Sequence, residues 1–137
     1  MKKTAGVIVI KDNQLLLVRA GQKSRQINGT YSFPGGKVEK NETNEDAAKR
    51  ELAEETGLIA QRLVKFPENR VDGPIILKSG PLMCSYTVFI VMDFLGTLRE
   101  KDDENEPLWI DLDQARKMTL LGDSSLLLEN GVKFLKL

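Results

Sequence analysis

Residues 36–58 read GKVEKNETNEDAAKRELAEETGL, and the spacing of the glutamates in that stretch governs the reading of the rest of the chain. It opens in a diglycine, Gly35-Gly36, expected to be a loop, and runs into a helix whose second half carries Glu51, Glu54 and Glu55. Spaced i, i+3 and i+4, these carboxylates leave one face of a helix. Like charges so placed destabilise an isolated helix by roughly 0.2–0.5 kcal/mol per pair. Such a stripe needs solvent or a cation beside it. The helix has clear ends: Thr43 or Asn44 as N-cap, Glu45 and Asp46 against the positive end of the dipole, and Gly57 at C′. Ala47, Ala48 and Leu52 give it an apolar flank, while Lys49 and Thr56 are expected to point away.

What is absent narrows the cation. The 137 residues include no histidine and a single cysteine, Cys84. Ser-His-Asp and Cys-His chemistry, His-ligated zinc, thiolate clusters and intrachain disulfides are all removed. A metal must then take oxygen ligands, which select Mg²⁺, Mn²⁺ or Ca²⁺. Mg²⁺ is typically held by one or two carboxylates together with substrate phosphates. Glycines beside it let backbone N–H groups approach phosphate oxygens. With Arg50 four residues ahead of Glu54, the stretch points to metal-assisted attack on a phosphoanhydride. A solvated acidic helix face is the alternative.

Outward from the helix, the chain reads as one domain, residues 1–137, with ordinary hydrophobic (41%) and charged (29%) content. Twenty basic and twenty acidic residues cancel, so no groove for a DNA or RNA polymer is advertised. The N-terminal apolar run is too short for a signal sequence, and no segment is long enough to span a membrane; a cytoplasmic protein is expected. Residues 4–10 and 14–19 read as a hairpin, 20–30 as a polar loop and 31–33 as a short extended piece. After the helix, 58–65 is a strand and 67–81 a loop with a short strand at 75–77. Residues 83–95 form a central strand, 100–107 an acidic loop and 108–111 a last strand, before helices at 114–118 and from about 124. Strands, a central helix, more strands and terminal helices give an α/β domain with a mixed sheet covered on both faces.

The stretch also resembles a known family. Gly36, Glu42, Arg50, Glu51, Leu52, Glu54, Glu55, Gly57 and Leu58 occupy every fixed position of the Nudix hydrolase signature, Gly-x5-Glu-x7-Arg-Glu-U-x-Glu-Glu-x-Gly-U with U aliphatic. Phe33-Pro34-Gly35-Gly36, the N-terminal hairpin and LWIDLDQA near the end resemble the usual flanks. The resemblance implies an α/β/α sandwich of MutT-like type that hydrolyses a nucleoside diphosphate linked to another moiety, by water attack on phosphorus. It implies Glu54 and Glu55 as principal ligands of Mg²⁺, with Mn²⁺ as substitute. Glu51 becomes a further ligand or supporting carboxylate, and a carbonyl near Gly35 or Gly36 an additional one. By the same resemblance Arg50 matches the arginine that orients the glutamates, and Glu42 a structural loop carboxylate. In similar proteins the general base is a signature glutamate or a residue of a distant loop, for which Glu104 and Glu106 are the candidates here.

Arg19, Lys23 and Arg25 are candidates to clamp phosphate, and Tyr31, Phe33 or Phe89 to stack on a base. Cys84 is read as a small buried hydrophobe and Trp109 as core or pocket wall. Pro74, sixteen residues after Leu58, resembles ADP-ribose-cleaving members, whereas the short chain resembles enzymes that remove oxidised nucleoside triphosphates. The expected partner is a small nucleotide, with homodimerisation open. A non-catalytic nucleotide-binding module is the competing class.

Overall fold

The computed structural model describes residues 1–137. The chain begins with β1 (Lys2–Ile8), β2 (Ile10–Lys11) and β3 (Gln14–Ala20), whose apolar runs are buried on both faces. Side chains alternate along a strand, and the alternation divides the interior in two. Ala5, Val7, Val9 and Leu16 enter one cluster with Ala47, Ala48 and Leu52. Ile8, Leu15 and Leu17 enter the other with Leu127, Leu128 and Val132. Each face therefore needs a helix: α1 (Asn44–Thr56) covers the first and α3 (Ser124–Leu135) the second. Leu52, fully buried, illustrates the stake, since truncating such a leucine to alanine costs about 2–5 kcal/mol.

The remaining strands are β4 (Tyr31–Ser32), β5 (Gly35–Lys37), β6 (Ile59–Val64), β7 (Arg70–Leu77), β8 (Gly80–Leu95) and β9 (Asn105–Asp111), followed by the short α2 (Leu112–Ala115). A mixed five-stranded sheet runs β5-β1-β8-β6 with β7 also on β8; β1 and β8 are its parallel pair. A second sheet, antiparallel, joins β2, β3, β4 and β9. Because β8 is 16 residues long, it pairs with β7 as far as Thr87 and with β6 from Ile90 onward. This is the mixed-sheet, helix-covered α/β arrangement the sequence implies.

Several local expectations change. Of the hairpin at 4–10 and 14–19, only the tip exists: Ile10 pairs with Leu15 and Lys11 with Gln14 across Asp12 and Asn13. Both turn residues have positive φ (52° and 61°), as a two-residue type I′ turn requires. Below the tip β1 leaves for the other sheet and its parallel partner β8. The loop expected at 67–81 is largely β7, paired with β8 from Arg70↔Thr87 to Leu77↔Gly80. Gly73 and Pro74 read as breakers, but an edge strand has one ladder to satisfy and tolerates proline. Residues 105–107 of the acidic loop belong to β9, and the helix expected at 114–118 sits at α2. The diglycine is no loop either: Gly36 pairs with Ala5 and Gly35 with Gly6, as strand β5.

Candidate functional site

Helix α1 is fixed at both ends by its own residues. The Thr43 Oγ1 accepts the Asp46 N–H at 3.0 Å, which makes Thr43 the N-cap. At the other end Gly57 adopts φ 83° and its N–H reaches the Ala53 carbonyl. Thr56, expected to point outward, is buried instead. Its hydroxyl donates to the Leu52 carbonyl at 2.7 Å and accepts the Leu58 N–H at 3.1 Å, satisfying backbone groups at the helix exit. With its apolar flank against β1, the helix turns Arg50, Glu51 and Glu55 toward β5 and leaves Glu54 on the solvent side beside Arg50.

Arg50 is the hub of this face. Its Nε and Nη2 donate to both oxygens of Glu42 at 2.8 and 3.0 Å, and Nη2 also reaches the Lys37 carbonyl at 2.9 Å. Its Nη1 donates to Glu51 at 2.9 Å and to Glu54 at 3.3 Å. A planar guanidinium serves three carboxylates and a carbonyl at once, which a lysine cannot do. The Arg50 hydrogen bonds, aided by the Glu39 N–H, hold the Glu42 carboxyl down at about 2. Glu42 thus ties the loop ahead of α1 to the helix.

The glutamates differ sharply in environment. The Glu55 Oε1 accepts the Gly35 N–H at 2.6 Å, yet burial, with the Glu51 charge adding, pushes its carboxyl up to about 8. Glu51, its side chain 15% exposed, is also pushed upward by burial, against the pull of Arg50. It stands against Gly36, where an added Cβ would lie 2.6 Å from the carboxylate. Glu54 is 58% exposed and leans on Arg50. As these side chains stand, no three acidic groups enclose a common point. Their chemistry nevertheless fits a hard divalent cation: neighbouring carboxyls withdrawn from water are driven toward protonation, and a cation reverses that drive. Glu54 has the solvent-side freedom to join them.

Next to this face a cleft opens between the two sheets and the start of α3. Gly35 and Gly36 border it, Phe33, Val71 and Ile75 give it apolar walls, and neither lysine nor arginine lines it. Phe33 is 2% exposed and also belongs to the α3-side core. Pro74 and Cys84 line the cleft as well, Cys84 as the buried residue expected. The other candidates lie elsewhere. Arg19 is exposed on β3 opposite Glu106, Lys23 pairs with Asp103 at 3.3 Å, and Arg25 is exposed with its carbonyl bonded to the Lys78 N–H. Glu104 and Glu106 neither line the cleft nor bond to the helix glutamates. Phe89 is packed in the α1-side core, and Trp109 lies against Phe94 at 6.0 Å.

Sequence reasoning missed Gln26, Tyr86 and Asp123, which give the cleft polar character. Asp123 stands at the N-cap position of α3, but its side chain makes no capping hydrogen bond. It reaches toward Gly73 instead, 3.0 Å from where a Cβ would stand. Tyr86 lies within the long β8 run, where nothing local distinguishes it from core.

A family model described as NUDIX domain matches residues 1–128. An ADP-ribose pyrophosphatase of Methanocaldococcus jannaschii is 32% identical over 117 residues, covering 81% of this chain and 62% of that protein. An oxidized purine nucleoside triphosphate hydrolase of Mus musculus is 34% identical over 120 residues, covering 87% and 72%. This chain therefore spans under two thirds of the archaeal relative's length. Among solved structures, a MutT NUDIX hydrolase from Burkholderia pseudomallei superposes with a TM-score of 0.77 at 26% identity, over 94% of this chain and 96% of that one.

Proposed function

This chain belongs to the NUDIX family, and on that premise we propose that it is a metal-dependent hydrolase of the phosphoanhydride in a nucleoside diphosphate linked to another moiety. One observation carries the reading: Arg50 gathers Glu42, Glu51 and Glu54 into one network while Glu55 grips Gly35 at the edge of the cleft. Glu51, Glu54 and Glu55, with a carbonyl near Gly35 or Gly36, are the residues that would hold Mg²⁺ or Mn²⁺. When bound, that ion neutralises phosphoryl oxygens and acidifies a bound water.

The chain's own residues do the rest. Arg50 holds the carboxylates in register, and Gly36 leaves the room that Glu51 occupies. A carboxylate of the helix takes the proton of the attacking water, since Glu104 and Glu106 stand outside the cleft and no histidine is present. The cleft, free of lysine and arginine, receives the uncharged nucleoside, leaving the phosphates to lie over Gly35 and Gly36.

ADP-ribose and oxidised purine nucleoside triphosphates, named for the relatives above, both have that two-part character. Pro74, whose spacing resembles ADP-ribose-cleaving members, lies in the cleft wall, so ADP-ribose enters the test beside the oxidised nucleotides. The test is product release with Mg²⁺ from a panel of ADP-ribose, oxidised dNTPs, nucleotide sugars and dinucleoside polyphosphates. Hydrolysis of at least one is expected, and Glu54→Gln should cut kcat by roughly 10³-fold with the fold intact. Near-normal turnover in that variant sinks the assignment. Binding without release across the panel favours a nucleotide-binding module.

A further inference from the structure

Tyr86 sits on β8 opposite Thr4 of β1 and Val71 of β7, with its ring on the cleft side of the sheet. Its hydroxyl occupies the space that Gly6 leaves by lacking a side chain. A Cβ there would stand 2.3 Å from the Tyr86 Oη and 2.7 Å from the Pro34 carbonyl oxygen. Gly6 is also the partner of Gly35, whose N–H holds Glu55. The crossing of β1 and β5 thus has a phenol on its cleft side and a metal-ligand candidate on its outer edge. A ligand reaching from the cleft to the glutamates passes over this crossing.

The hydroxyl is uncommitted within the protein. It takes part in no hydrogen bond, and Tyr86 as a residue is half-buried in the cleft wall. Burial, with the Glu55 and Glu51 charges adding, raises the phenol above its usual range and keeps it protonated. It is a standing donor. A phosphate offers only acceptors, and where it leaves a cleft lined by neither lysine nor arginine that lining can add to the ion's charge only neutral donors or backbone N–H groups.

We propose that the Tyr86 hydroxyl donates a hydrogen bond to the phosphate attached to the nucleoside, fixing where the substrate bends from the cleft toward the glutamates. The proposal rests on the hydrolase reading above for its substrate, but its first test does not require turnover. AMP, GMP and the matching nucleosides, adenosine and guanosine, are titrated into wild type and Tyr86→Phe in Mg²⁺ by calorimetry. The expected result is about tenfold weaker binding of the better-bound monophosphate in the variant, with nucleoside affinity changed less than about twofold. Equal losses for nucleotide and nucleoside overturn the proposal, because the hydroxyl would then be reading the nucleoside or shaping the cleft. No loss overturns it, and so does a wild type that binds nucleotide no better than nucleoside.

Since the hydroxyl has no partner to orphan, Tyr86→Phe should melt within about 2 °C of wild type. On the best panel substrate kcat/KM should fall by about tenfold; an unchanged value also refutes the contact. Phosphate-dependent binding through Tyr86 without hydrolysis of any panel compound would refute the hydrolase reading alone. Hydrolysis with an indifferent Tyr86→Phe would refute this one alone.

Discussion

At Gly36 one methyl group separates two kinds of damage. The Cβ of an alanine would meet the Glu51 carboxylate at 2.6–2.8 Å, and that carboxylate ends a flexible side chain that can swing aside. Gly36→Ala should therefore retain the fold and lose activity, with kcat down by about 10–100-fold, as initial rates and a melting curve will show. At Gly35 the same methyl group would meet the Ala5 carbonyl oxygen at 2.5 Å and the Gly6 Cα at 2.8 Å, both backbone. Neither can yield without opening the β1–β5 pairing, so Gly35→Ala should lower stability by about 3 kcal/mol or more. From sequence the two glycines are equivalent and suggest only a loop for phosphate. Their difference comes from contacts made with residues 15 and 30 positions away, Glu51 and Ala5–Gly6, which no local pattern displays. The glutamates themselves were legible, because helical spacing alone decides which of them share a face. That Glu55 would be buried against Gly35 while Glu54 stays in solvent was not, since it depends on where β5 runs.

Helix α1 is the element the sequence specified most completely, because its caps, dipole residues and apolar flank are all local. Its stability test is equally local: Thr43→Ala removes the hydrogen bond to the Asp46 N–H and should cost about 1 kcal/mol, a fall in Tm of about 3–5 °C. Arg50→Lys probes a different link. A lysine cannot serve Glu42, the Lys37 carbonyl, Glu51 and Glu54 together, so the loop at 37–42 loses its tie to the helix. Turnover should fall by about tenfold or more, with a smaller change in melting than removal of a core side chain causes. Strands were legible where β-branched and aromatic residues run on, as in β8, and hidden where tertiary pairing overrides composition. β7 contains Gly73-Pro74 and β9 opens with Asn105-Glu106, yet both are held by the strand beside them. The separation of β1 from β3 was hidden for the same reason, since the parallel partner of β1 arrives some eighty residues later.

For the molecule as a whole, the missing histidines make the carboxylates at the site readable in a pH titration. No side chain of ordinary pKa changes charge between pH 5 and 8 here. Glu55, raised from about 4.5 to about 8 by burial, does so in the folded state. Between those values the folded protein keeps a proton there that the unfolded chain has released, so the metal-free protein should lose stability as pH rises across this window. Glu51, shifted the same way, adds to the slope. Glu42 has the opposite sign: depressed to about 2, it contributes stability that is complete above about pH 4.5 and lost only in acid, outside the window. At the proposed metal site a divalent cation would displace the Glu55 proton on binding, so its stabilisation should grow from pH 6 to pH 8.5. Melting in EDTA is expected to show a Tm falling from pH 5 to 8, with Mg²⁺ reversing most of the fall at the alkaline end. Glu55→Gln should flatten the EDTA curve and shrink the Mg²⁺ effect together. A flat wild-type curve would refute the raised Glu55 carboxyl, and a Mg²⁺ effect that survives the substitution intact would remove Glu55 from the proposed metal site.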